Sequence, residues 1–484
     1  MTGRVVPPGR GMRLTMAPRA AALALALVLA VAGQGRAADA LATYVQVAQD
    51  PQSGATVLLV RAIVEGAQSG CPEIAVDGQA VSARARSNPD SARFPVTVCE
   101  IVAPPGAAVT VAGVSVPTLA GLDGGALHVA VFGDTGCNPE QDCATAWPFP
   151  ELAADAAAQQ PDLVIHLGDY DYRGTPSKRS AESPRVYDGC VPGEGQDYVS
   201  LADLADWPTW QEDFFAPAAP LMHAAPWVTV RGNHELCSRG GDGWFYFLDP
   251  HSVLLDPLRG EPRCDAPVVT TQPYRVSVGS LDLVVLDDSD GCQIGTWQDA
   301  QAFDYQARTL APDLAQVAAL AREAAGPVWL LSHRPLWSAF VGKQGEAMSD
   351  GSEAWQRALG LALDGSLPGE VAMLLSGHMH EAQVLVFDGD RAPQLVLGNG
   401  GTALDNNLIA LPVSAMFDGM AGSGWVVSPP STPAAHGYLA AEVVDAGRWE
   451  GTVTSHAGAG AAPLLLMTCQ LPVRDGALCV PPSP

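Results

Sequence analysis

Five short polar clusters each follow an apolar, strand-like run: Gly133-Asp134-Thr135-Gly136, Gly168-Asp169-Tyr170-Asp171-Tyr172, Gly232-Asn233-His234-Glu235, Ser332-His333-Arg334-Pro335 and Gly377-His378-Met379-His380. Carboxylate, amide, phenol and imidazole groups together make a hard oxygen and nitrogen donor set, the kind that holds first-row metal ions. Two such ions side by side can activate water and stabilise an in-line displacement at phosphorus. Singly, each cluster has a plainer reading: Asp134 or Asp169 could start a turn, and one histidine is more often a core residue than a ligand. Jointly, five successive placements of this kind are hard to explain as packing.

The positions of these clusters depend on the elements before them. Strands are expected at His128–Phe132, Leu163–Leu167, Trp227–Val230, Val328–Leu331, Val371–Leu375 and Val384–Phe387, with a hairpin over Tyr274–Leu286. Helical periodicity falls at Glu151–Gln160, Pro312–Ala325 and Ser352–Leu363. Strands alternating with helices imply an α/β domain, and ligands there bind beyond the carboxyl ends of the strands. Scattered clusters can therefore meet. Residues 41–120 read differently, as short apolar runs split by turn residues, such as Ala55–Val64 and Phe94–Val102, which suggests a small β-sandwich. The expected division is a leader over 1–40, the β-sandwich over 41–120, a catalytic domain over 121–445 and a C-terminal extension over 446–484.

In this order, the clusters resemble the calcineurin-like metallophosphoesterases, and in particular the purple acid phosphatases, over roughly residues 127–445. Most of that superfamily has a histidine two residues after the first aspartate. Here Gly136 stands there, while Tyr172 follows Asp169 by three, which is the purple acid phosphatase variant. The resemblance implies a four-layer αββα sandwich and a binuclear centre of Fe(III) with a divalent Fe, Zn or Mn ion. Asp134, Asp169, Tyr172 and His380 would hold the first ion, and Asp169, Asn233, His333 and His378 the second. A phenol with a pKa of about 10 becomes a phenolate ligand near neutral pH only beside a strongly polarising ion, which suits ferric iron. A metal-activated hydroxide would attack the phosphorus, with His234 as proton donor to the leaving group and Glu235 holding His234 in place.

One departure concerns the substrate side. Purple acid phosphatases usually carry a second histidine about ten residues past the strand-end histidine, where this chain has Gly342-Lys343. Lys343 is either a phosphate-binding cation or a solvated loop residue. Arg334 is either a second phosphate contact or half of an ion pair. Three other features are set aside: His166 as a satisfied core histidine, Asp287, Asp288 and Asp290 as turn formers in preference to a calcium site, and Gly398-Asn399-Gly400-Gly401 as a turn at the site rim in preference to a phosphate cradle, since no helix with Lys-Ser/Thr follows it.

The chain has 484 residues, 52 Asp plus Glu against 26 Lys plus Arg, and a formal charge of −26. Such a surface repels nucleic acid and anionic membranes, so a phosphate could be held only where a local cation reverses the field. Arginines ahead of the apolar run Ala20–Ala32 and the small-residue site at Ala38-Asp39-Ala40 read as a secretory signal, and no stretch is long enough to span a membrane stably. Export, whether secreted or periplasmic, makes disulfides the default for the 10 cysteines. Cys71/Cys99 and Cys469/Cys479 are the expected pairs, and Cys137 and Cys143 are expected to staple a loop.

The expected activity is a phosphomonoesterase acting on small phosphate esters. The alternatives are a phosphodiesterase or nucleotidase on the same metal core, or a catalytically silent metal-containing surface binding protein.

Overall fold

The computed structural model describes residues 40–480 apart from 67–69, 88, 90–91, 123, 140, 174–184, 187–197, 200–204, 238, 258–262, 265–269, 292–299, 342–346, 350–352, 405–409, 413–421, 428–435, 456–463 and 475–476. Residues 1–39 of the expected leader, Lys343 and most of the Gly174–Gly195 loop lie outside the described residues.

Two large sheets carry the architecture. At the centre of an 11-stranded sheet, Leu127–Phe132, Leu163–His166 and Trp227–Thr229 run parallel, with Leu163 paired to Val129 and Val164 to Trp227. The core of an 8-stranded sheet is also parallel, in the order Leu281–Val285, Val328–Leu331, Val371–Ser376 and Gln394–Leu397. The inner faces form one core: Val129, Val131, Ile165 and Val228 from the first sheet cluster with Leu283, Trp329, Leu331 and Leu375 from the second. These strands are apolar on both faces, as expected for parallel strands covered on each side.

Helices cover the outer faces, completing four layers. Phe149–Ala158 and the segment Trp207–Met222 bury Phe149, Leu152, Trp210, Phe214 and Leu221 against the outside of the first sheet. Ala300–Arg322 and Glu353–Leu363 do the same for the second, through Leu314, Val317, Ala321, Trp355 and Leu359. The first of this second pair starts twelve residues before the expected Pro312. Its apolar stripe continues back through Leu310 and Ala307, and packing of that stripe outweighs the proline's missing N–H. The Trp207–Met222 segment was not legible, because Pro208, Pro217 and Pro220 interrupt the helical pattern; it forms as two short helices joined by a π-helical turn at Gln211–Phe215.

Residues 41–120 supply a separate four-stranded sheet built from Ile74–Val76, Gln79–Val81, Val109–Val111 and Val114–Ser115. They also add Ala42–Gln49, Thr56–Glu65, Val96–Ala103 and Arg84–Ser87 to one edge of the large sheet, where Gln46 pairs in parallel with Trp227. The opposite edge is extended by four antiparallel strands between Gly437 and Val480. Disulfides join Cys71 to Cys99, Cys137 to Cys143 and Cys469 to Cys479, as expected, and also Cys237 to Cys264.

Candidate metal centre

Every polar cluster sits at the carboxyl end of a parallel strand, and the two sheets bring those ends together. The tightest point is the Tyr172 hydroxyl, 2.8 Å from Asp169 Oδ2, 3.1 Å from Asp134 Oδ1 and 3.1 Å from His380 Nε2. A second grouping centres on His333 Nε2, which lies 2.9 Å from Asn233 Oδ1, 3.2 Å from His378 Nδ1 and 3.3 Å from Asp169 Oδ1. Ligand atoms of Asp134, Asp169 and His380 lie within 4.8 Å of one another, as do those of Asp169, His333 and His378. Asp169 belongs to both sets.

The backbone is bent to present these groups. Asp134, Asp169 and His378 adopt left-handed conformations, with φ of 55°, 59° and 73°. Each costs roughly 1–3 kcal/mol for a residue with a Cβ, and such strain clusters at functional sites. Close approach also demands glycine: a Cβ on Gly232 would collide with the Asp169 amide nitrogen and carboxylate, and Gly168, at φ +102°, faces the His333 ring.

Hydrogen bonds fix the donors from behind. The Nδ1–H of His333 donates to the Leu167 carbonyl at 2.8 Å, which aims Nε2 into the site, the orientation that metal-binding histidines take. Asp288 accepts from the backbone N–H groups of His333 and Arg334 at 3.0 and 3.1 Å, and also from the Trp355 indole. Asp288, expected as a turn former, anchors the His333 loop. Asp213, on the π-helical turn, accepts from the Tyr172 and Arg173 N–H groups at 3.0 and 3.2 Å. The prolines that obscured its segment also hid this residue.

Glu235 differs from its expected role. Its carboxylate accepts from the N–H groups of Gly232, Asp169 and Tyr170 at 2.9, 3.0 and 2.8 Å. It therefore ties the Asp169 loop to the Asn233 turn, where the expectation was a grip on the His234 side chain. A buried carboxylate is held most firmly by fixed backbone donors, and this turn supplies them at close range. His234 is placed through its backbone, whose N–H donates to Asp169 Oδ1 at 2.9 Å, and its ring lies 3.9 Å from the Tyr172 ring, centroid to centroid. Arg334 is buried, with Nη1 3.0 Å from His378 Nε2.

Electrostatics provide the test of whether a metal fits. Asp134, Asp169, Tyr172, Asn233 and His333 are at most 5% exposed, and the site-facing atoms are nearly all acceptors. Burial, together with the Asp169 charge, pushes the Asp134 carboxyl well above its ordinary range. Burial and the same two carboxylates push the Tyr172 phenol well up. Burial alone would lower His333, but the Asp169 carboxylate beside it wins and holds it at about 9. Acceptors that disfavour one another's ionisation when buried become a matched ligand set once a cation sits among them. The donors fit a metal centre.

Fold and donor set together define a metal-dependent phosphoesterase. Residues 127–382, just over half of the chain, match the family model described as calcineurin-like phosphoesterase. The chain belongs to that family. Among solved structures it is similar to PhoD, at 13% identity over 90% of each chain with a TM-score of 0.47. It is also similar to the purple acid phosphatase PPD1 isolated from yellow lupin (Lupinus luteus) seeds, at 14% identity, covering 86% of this chain and 72% of that one, with a TM-score of 0.44. No curated protein matches the chain.

Proposed function

We propose that this chain is an exported phosphomonoesterase of the purple acid phosphatase kind, working with Fe(III) and a divalent Fe, Zn or Mn ion. The observation that carries the reading is the Tyr172 hydroxyl set among Asp134, Asp169 and His380, at 2.8–3.1 Å from each. A phenol buried between two carboxylates has little reason to be there unless a strongly polarising cation shares the space.

In this reading Asp134, Asp169, Tyr172 and His380 would hold one ion, and Asp169, Asn233, His333 and His378 would hold the other. When bound, the pair supplies an acidified water and positive charge for the phosphoryl oxygens. Asp169 spans the two positions, with Oδ2 on the tyrosine side and Oδ1 on the His333 side. His234, on the edge of the tyrosine pocket, hands a proton to the leaving alkoxide. Arg334, beside His378, meets a phosphoryl oxygen with a guanidinium fork suited to it. Glu235, Asp288 and Asp213 hold the loops at their separations. Export is supported by four disulfides among the described residues.

The test compares p-nitrophenyl phosphate with bis(p-nitrophenyl) phosphate before chelation, after it, and after metal return. The monoester should be preferred, and its hydrolysis should vanish and recover with the metal. Preference for the diester would replace the monoesterase reading with a phosphodiesterase or nucleotidase. A reconstituted protein inert to both would be a surface metal-binding protein instead.

A further inference from the structure

His166 ends the strand Leu163–His166 and is fully buried in an aromatic shell. Its ring stacks on Tyr170 at 4.0 Å, with Phe214 at 5.7 Å and Trp227 at 6.2 Å. Packing alone would be served better by phenylalanine, because burying two ring nitrogens costs free energy unless both are bonded. Both are. The Gly168 N–H donates to Nδ1 at 3.2 Å, which leaves the proton on Nε2, 2.8 Å from Thr135 Oγ1. Burial keeps the imidazole neutral by driving its pKa well below the ordinary value, so this single tautomer persists.

The two partners are informative. Thr135 follows Asp134 and Gly168 precedes Asp169, so the ring braces the two loops that carry the aspartates. Backbone bonds already run between them, from Asp134 N–H to the Gly168 carbonyl at 2.9 Å and from Thr135 N–H to the Asp169 carbonyl at 3.1 Å. The imidazole adds a rigid side-chain strut to that ladder. On the other flank, Glu235 joins the Asp169 loop to the Asn233 turn. The Asp169 loop is thus held on one side by an imidazole and on the other by a carboxylate.

We propose that His166 is a positioning residue that sets the separation of Asp134 and Asp169, and through it the metal affinity of the centre. The inference rests on the metal-centre reading above. It is tested on the full mature chain with His166→Phe, Thr135→Val and the double variant, using Zn²⁺ affinity by chelator competition, with the thermal midpoint of the metal-free protein as control. His166→Phe keeps the ring packing and removes both bonds. Its Zn²⁺ affinity should fall about 10–100-fold, the usual effect of losing an outer partner of a metal site. Thr135→Val, nearly isosteric, should lose several-fold, and the double variant should lose no more than His166→Phe alone, because one strut is removed only once. Losses that add, or unchanged affinity in both single variants, would overturn the proposal. If His166→Phe fails to fold, wild-type affinity in Thr135→Val overturns it equally. A wild-type chain that binds no Zn²⁺ would instead bring down the metal-centre reading itself.

Discussion

Two of the buried charge clusters among the described residues are built on opposite principles. In the N-terminal strands, Arg61 Nε meets Glu100 at 2.7 Å and Arg86 Nη1 meets the same carboxylate oxygen at 3.4 Å, all three side chains being at most 2% exposed. Terminal guanidinium N–H groups of both arginines reach the carbonyls of Phe245, Phe247 and Asp249, at 2.6–3.1 Å, while Arg86 Nε has no hydrogen-bond partner among the described residues. Ser252 donates to the other Glu100 oxygen. That cluster contains its own cations and satisfies its own acceptors. The Asp134–Asp169–Tyr172 cluster has acceptors in excess, and among the described residues the side chains within ion-pair distance of its carboxylates are the imidazoles of His333 and His380. One cluster is a finished joint; the other is a socket.

This difference makes distinct predictions. Breaking the joint should have the largest effect on folding: Glu100→Ala leaves two buried guanidinium groups facing each other and should cost about 3–5 kcal/mol, read by urea denaturation. Burial would raise Glu100, but Arg61 and Arg86 outweigh it and hold its carboxyl below the ordinary range. Its stabilisation is therefore complete above the unfolded value of about 4.3 and is lost as the pH falls through the depressed folded value. Glu100→Ala should lack that acid step, while a variant with wild-type stability would show that the joint carries no load.

A change at the socket should leave folding intact and affect turnover. His234→Ala should lower kcat by roughly two orders of magnitude, about 2.7 kcal/mol, with metal content unchanged. Unchanged kcat would remove His234 from the chemistry. Equal loss of metal would make it a structural residue.

The contrast also explains what could be read from the sequence. The socket was legible because its residues follow apolar strands one by one, so that Asp134, Asp169, Asn233, His333 and His378 each mark a strand end. Parallel strands send those ends to one place, and the chain order alone is enough to expect a meeting. The joint was not legible. Arg61, Arg86 and Glu100 are separated by ordinary strand residues, and nothing in a strand's pattern names its partner. For the same reason the addition of Ala42–Ala103 to the edge of the large sheet could not be foreseen, although the strands themselves were. Glu235 stands out in the sequence, but its direction does not, since a carboxylate three residues after Gly232 can turn to side chain or backbone. His166 looked like a core residue because only its two hydrogen-bond partners, far away in the chain or hidden in the backbone, distinguish it from one.

The central claim is that the socket holds two transition-metal ions, one of them gripped by Tyr172. Metal analysis of the purified chain together with its visible spectrum tests this directly. The account predicts two transition-metal ions per chain and a tyrosinate-to-iron absorption band that disappears in Tyr172→Phe. A chain that takes up no transition metal on reconstitution, or a band that survives Tyr172→Phe, would contradict it.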